Sequence, residues 1–342
     1  MASLILLCAV LLVLGIPFVP LAFEWRKPSD VAALPIPEAA FEDARALAVR
    51  WITLLREAVH LRALDSHAHD ADQSTLHIEE RIALERGRSE ARVLYATQSI
   101  SIGREAQATY VFAERSIRFR AGSRLANFAY APRVDACDAD LAGTVSAHTL
   151  RLRGECRFTR LGGQPITLGI GTGSTGTGSS VAGALDAEAR RSVDDTHRTH
   201  RPMTDFVHDR RHRFGDTRFR VRGDLEMPGH TECEADLVVD GAFYLGEASV
   251  LRGNVRAHTV ELARHAVIQG AVFAHRDIVL REMSGIEGVL SAGRALHVRR
   301  ASIGRRGQAV TASAQEIVVQ EGASVHGELV AEKSGRFSES CQ

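Results

Sequence analysis

The chain has 342 residues, 45% of them hydrophobic, and its 42 basic side chains equal its 42 acidic ones. That length suits two ordinary domains or one elongated repeat protein with appendages, and the apolar content excludes wholesale disorder. A net charge of zero with only 6% aromatic residues leaves a nucleic-acid-binding surface without compositional support. The five cysteines, Cys8, Cys137, Cys156, Cys233 and Cys341, are scattered and never form a CxxC pair. They offer neither a disulfide framework nor a structural zinc ribbon, and they fit a reducing compartment. Cys341 also stands too close to the end for prenylation.

From Leu4 to Phe23 no residue is charged, and about 20 apolar residues let a helix cross a bilayer. Leu4, Leu11, Leu14 and Phe18 are its anchoring side chains. Pro17 and Pro20 fall where a kink near the interface is tolerated, and Trp25 follows at interfacial depth. Arg26 and Lys27 put the positive flank on the C-terminal side only. This predicts a retained, single-pass anchor over residues 1–24 in the inner (cytoplasmic) membrane, with the bulk of the chain in the cytoplasm. A cleaved signal peptide, the alternative, would carry basic residues before the apolar run and small residues before a cleavage site. Residues 25–75 then read as a linker from Pro28 to Pro37 and a juxtamembrane amphipathic helix from about Glu38 to Leu64. Phe41, Ala44, Ala48, Trp51, Leu55 and Ala58 form one apolar stripe on it, flanked by Arg45, Arg50, Arg56 and Arg62. Such a stripe packs on its own domain, on a membrane surface or on a second copy.

Between Pro37 and Pro132, and again beyond Pro228, there is no proline, and both stretches share one period. Leu262, Leu280 and Val298 lie eighteen apart, as do Val250, Ile268 and Ile286, with Arg256, Ala274 and Ala292 on the remaining corner. Upstream, Ile82 pairs this way with Ile100, Leu84 with Ile102, Leu94 with Phe112 and Val93 with Val111. A period of eighteen built from sixes is one coil of a β-solenoid: three short strands around a triangular section, alternate side chains pointing inward. Gly223, Gly253, Gly270, Gly288 and Gly327 are candidate corners. Proline is missing because each coil donates hydrogen bonds to its neighbours. The expected fold is mainly β, a parallel β-helix in two blocks, 76–160 and 218–331. An insertion over 161–217 separates them and a polar tail over 332–342 follows.

The segments from Asp236 to Ala242, Val250 to Val255 and Ile268 to Val272 repeat an apolar-x-Gly-x-apolar phrase that resembles the bactofilins, a family of polymer-forming bacterial cytoskeletal proteins. The likeness is best over Arg218 to Ala331 and looser over His77 to Val134. It implies a right-handed coil, nucleotide-free polymerisation and association with membranes. The split repeat and the apolar N-terminal segment depart from the family's single uninterrupted core. On this reading the chain is a membrane-tethered scaffold and not an enzyme. Its partners are other copies of itself, membrane lipid and envelope or cell-wall proteins, with no cofactor and no metal. Val325 and Leu329 on the last coil are the expected assembly interface, because the tail looks too short to cap that edge.

Two alternatives share the arithmetic. A hexapeptide-repeat acyltransferase would use a histidine base among His258, His265, His275 and His297, yet each sits in an unbroken rung with no loop to build a pocket. A non-polymerising solenoid would be a binding module. Gly171, Gly173 and Gly176 match a GxGxxG phrase, but without a βαβ unit they read as a linker. The clusters His60, His67, His69 and His77, and His197, His200, His208 and His212, lie among aspartates or arginines and read as solvated segments rather than metal sites. Cys233 sits between Glu232 and Glu234, which dulls it as a nucleophile.

Overall fold

The computed structural model describes residues 49–57, 76–168, 199–200, 211–213 and 217–339, all within one compact unit spanning 44–342. Strand makes up 68% of the structure and winds into a β-solenoid of about 13 turns, as the period implies. The expected anchor residues Leu4, Leu11, Leu14, Phe18 and Trp25 lie outside the described residues. No described helix is long and apolar enough to cross a membrane.

From Arg218 to Ile286 each coil follows from alternation over very short strands, while in the first block a strand continues around a corner. In Arg218–Val221, Phe219 and Val221 are buried while Arg218 and Arg220 are exposed. Strands this short form too few hydrogen bonds to stand alone, so each depends on its neighbours in the stack, which between successive coils are parallel. In the first block Leu76–Leu84 pairs with Ser89–Ile102. The stack continues in parallel through Gln107–Ala113, Arg124–Cys137 and Asp140–Arg153 to Cys156–Leu168. The second block stacks the same way from Arg218–Val221 up to Val310–Gln320 and Ser324–Ser338.

Corners are held by side chains that imitate the ladder. Asp236 Oδ1 accepts the Asn254 backbone N–H at 2.8 Å and its Nδ2 at 2.9 Å, and Asn254 Oδ1 accepts the Ala271 N–H at 2.8 Å. Another corner column turns through left-handed backbone at Ala248, His265 and Met283, with φ of 55°, 59° and 58°. Outward charges pair across rungs, as in Arg252–Glu232 at 2.7 Å. Such exposed pairs contribute little to stability.

The blocks do not follow one another head to tail. Their last strands, Cys156–Leu168 and Ser324–Ser338, pair antiparallel, with Thr167 opposite Ser324, Leu161 opposite Leu329 and Cys156 opposite Phe337. The blocks therefore meet C-terminal coil to C-terminal coil, and one buried cluster runs from Ile82 through Leu161, Ile166, Val325 and Leu329 to Phe219. The connection leaves Leu168 at this junction and rejoins the solenoid at the far end of the second block. The repeat boundaries accordingly move. The first block runs to Leu168 rather than residue 160, and the second to Ser338 rather than 331, so the expected tail contributes Gly335, Arg336 and Phe337 to the junction.

Register differs from expectation by one residue in some coils. Ile82 pairs with Ile100, and Leu262, Leu280 and Val298 stack as the period requires. Leu251, however, stacks under Ile268 in place of Val250, and Ala257 under Ala274 in place of Arg256. Likewise Leu94 meets Val111 and Val93 meets Tyr110. These coils close one residue sooner, and a slip of one exchanges the inner and outer faces. That exchange turns Phe112 outward, onto Tyr95.

Candidate functional site

The end expected to be open is closed within the chain. Val325 and Leu329 are both 0% exposed and stand opposite Ile166 and Leu161 of the first block. Arg160 donates to Glu328 at 2.8 Å across the junction. The Gly322 N–H donates to the Leu168 carbonyl at 2.9 Å. Gly335 has no side chain because Phe158 fills that space: a Cβ there would lie 2.3 Å from the ring. A second copy cannot reach Val325 or Leu329 without displacing the first block.

The histidines of the acyltransferase alternative are not brought to one point. His258 and His275 stack one rung apart with ring centroids 6.3 Å apart. His265 turns a different corner, where burial and then Arg264 lower its pKa. His297 faces outward between Val279 and Val318. A depression of ≈ 260 Å³ on the first block is lined by Arg104, Arg118, Arg120, Arg153, Asp135, Cys137 and Asp138. Its thiol is a poor nucleophile, since burial and then Asp138 raise the Cys137 pKa, and burial pushes neighbouring Cys156 up to about 11. Cys233 is buried. Among the described residues no three His, Cys, Asp or Glu side chains converge as a metal site. Gly171, Gly173, Gly176, His60, His67, His69, His197 and His208 lie outside the described residues. His77 pairs with Glu79 at 3.0 Å.

No protein-family model, curated protein or solved structure matches the chain. The solenoid presents three distinct surfaces.

The first such surface is the helical stretch 49–57, which lies across outward aromatic side chains of the first block. Ile52 and Leu55 are buried against Tyr95, Phe112 and Tyr130, with Val93 and Phe128 packed at the margin. Trp51 reaches Phe112 at a centroid distance of 6.3 Å. A polar clamp fixes the helix: Tyr95 Oη donates to Glu114 at 2.5 Å and Arg56 Nε donates to the same carboxylate at 2.8 Å. Arg56 holds the Glu114 pKa down, while burial and then Glu114 raise Tyr95 to about 12. The apolar stripe was legible in the sequence; the docking ladder was not. Its signal was present as paired apolar residues, Leu94-Tyr95 and Val111-Phe112, where a one-faced strand would show one.

The second surface is an outward column that crosses the junction in unbroken register. Val93, Tyr110, Phe128, Thr144 and Arg160 continue as Val330, Ser313, Ser291, Phe273, Arg256, Val238 and Arg220. At roughly 4.8 Å per rung it spans about 50 Å. It contains no carboxylate.

The far ends form the third. Among the described residues the first block ends in Leu76–Leu84, paired only with Ser89–Ile102. The first coil of the second block is covered in part, by Arg211–Arg213 antiparallel to Arg218–Val221 and by Thr199–His200 beside Thr231–Glu234.

Proposed function

We propose that this chain is a membrane-tethered structural scaffold resembling the bactofilins. It is a right-handed solenoid, anchored through Leu4 to Phe23, that self-associates without nucleotide and positions envelope or cell-wall proteins. The observation that carries the reading is the strand edge at Arg81–Leu84. The Leu84 carbonyl accepts the Gly103 N–H at 3.0 Å and so faces the second coil. Successive residues of a strand turn their backbone groups to opposite sides, so those of Ala83 face away, along the rod axis. An edge left unpaired among the described residues can recruit another strand. Self-association thus runs through the first coil of the first block, not through Val325 and Leu329. With one such edge, two rods pair end to end; longer filaments also require the first coil of the second block to take a neighbour.

The test is negative-stain electron microscopy and sedimentation of the full-length chain in mild detergent without nucleotide. Paired rods or filaments are expected. Ala83→Pro withdraws an N–H from the edge at a position where proline is tolerated, and it should disperse the assemblies while leaving the circular dichroism spectrum unchanged. A discrete trimer would instead favour the acyltransferase. A second reading, a non-polymerising binding module, draws on the short strands covering the second block, and a concentration-independent monomer would establish it over the scaffold.

A further inference from the structure

Seven large hydrophobic side chains stand exposed among the described residues: Val49, Trp51, Leu54, Tyr110, Val238, Phe273 and Val289. They are far apart in sequence, yet all fall on one side of the rod. Tyr110, Phe273 and Val238 belong to the outward column that crosses the junction. Val289 precedes Leu290 at the edge of the same face. The other three lie on the helical stretch docked over that face's first-block end. Other outward columns carry denser ion pairing, such as Arg252–Glu232 and Arg281–Glu261.

The column itself is basic, although Asp236, Asp240 and Glu328 flank it on the same face. It holds Arg160, Arg220 and Arg256 and no carboxylate. Arg160 and Arg220 have acidic partners in Glu328 and Asp240, but Arg256 has none among the described residues, and neither does Arg50 on the helix. A long, nearly straight strip of aromatic and aliphatic side chains interspersed with arginine has the composition of a bilayer interface, where aromatic rings settle at headgroup depth and arginines meet phosphates. The helical stretch 49–57, which follows the uncharged run from Leu4 to Phe23 in the sequence, is itself docked on this face.

We propose that this face lies flat on an anionic lipid surface, with Trp51, Tyr110 and Phe273 at the interface and Arg256 on lipid phosphate. The inference rests on the tethered reading for bringing the rod to the membrane, and adds which side it turns down. Both blocks contribute because their tail-to-tail junction keeps the column in register.

The test uses full-length chains with one tryptophan each. Trp25→Phe and Trp51→Phe are combined either with Phe273→Trp or with Tyr244→Trp, the latter being on a different outward column between Glu226 and Glu261. Each is reconstituted into brominated phosphatidylcholine vesicles with or without phosphatidylglycerol. The expected result is that residue 273 loses most of its emission to bromine quenching in the anionic vesicles and residue 244 does not, with Arg256→Glu restoring the emission at 273. Equal quenching at both positions, or none at 273 in chains that float with the vesicles, overturns the face assignment and leaves the tether standing. Chains that fail to float overturn both. Emission at 273 that shifts with protein concentration in detergent alone, and is indifferent to lipid, overturns the proposal in favour of a second copy.

Discussion

At left-handed corners the identity of a single residue decides between two opposing terms. An L-residue there costs about 1–2 kcal/mol, while glycine costs about 0.5–1 kcal/mol in lost backbone entropy. Ala248, at φ 55°, sits where these nearly cancel, so Ala248→Gly is expected to change stability by less than about 1 kcal/mol. Gly327 has no such latitude: its φ is 136°, and a Cβ would stand 1.9 Å from the Val310 carbonyl oxygen. Gly327→Ala is expected to cost about 3 kcal/mol, the range of strained backbone and steric conflict together. Thermal unfolding of the two variants measures the contrast; equal losses would place the strain elsewhere. Gly253 and Gly327 were legible as corners from their place in the repeat. Ala248 and Met283 were not, because nothing in a non-glycine residue announces positive φ.

The helical stretch shows how an element is held by chemistry it does not itself contain. Ile52 and Leu55 supply the apolar contact, worth about 1.5–3 kcal/mol for each fully buried side chain. The orientation comes from Glu114, which accepts from both Tyr95 and Arg56. Burial and then Glu114 raise the Tyr95 pKa from 10 to about 12 in the folded chain. A group whose folded pKa is raised contributes stability that is complete below its ordinary pKa and lost as pH rises through the folded one. The contribution of Tyr95 is therefore present below about pH 10 and fades by about pH 12. Tyr95→Phe is expected to loosen the helix by about 1 kcal/mol, the net value of one such hydrogen bond, and to flatten the difference in unfolding free energy between the two chains across that window. A Tyr95→Phe chain with the parent's alkaline profile would remove Tyr95 from the clamp.

Over the whole molecule the antiparallel junction governs both folding and association. It buries the strand edges that each block would otherwise leave at its C-terminal coil, and it leaves first coils at both far ends. Leu329→Arg places a charge at a fully buried position and is expected to cost about 3–5 kcal/mol, seen as a large fall in melting temperature of the isolated chain. An open-end interface predicts the opposite pattern, an unchanged melting temperature with lost assembly. The two are separated by melting dilute monomer. A split of the melt into two transitions would add that each block folds alone once the junction is broken.

The solenoid itself was determined by the sequence, since inward side chains in a stacked coil must recur once per turn and that recurrence survives in one dimension. Leu262, Leu280 and Val298 carry it plainly. The proline-free run beyond Pro228 agrees with it, whereas Pro132 and Pro165 stand inside strands of the first block. Where a corner uses one residue fewer, as between Leu94 and Val111, the period misleads by one, and inner and outer faces exchange. Only the tertiary structure decided how the ends are used. Whether Leu329 meets solvent, a second copy or Leu161 depends on where the chain carries the second block after Leu168, and periodicity is blind to the direction of a stack. The shared outward face was equally hidden: Tyr110 and Phe273 become neighbours in register only because two blocks of opposite direction join at one antiparallel pair of strands.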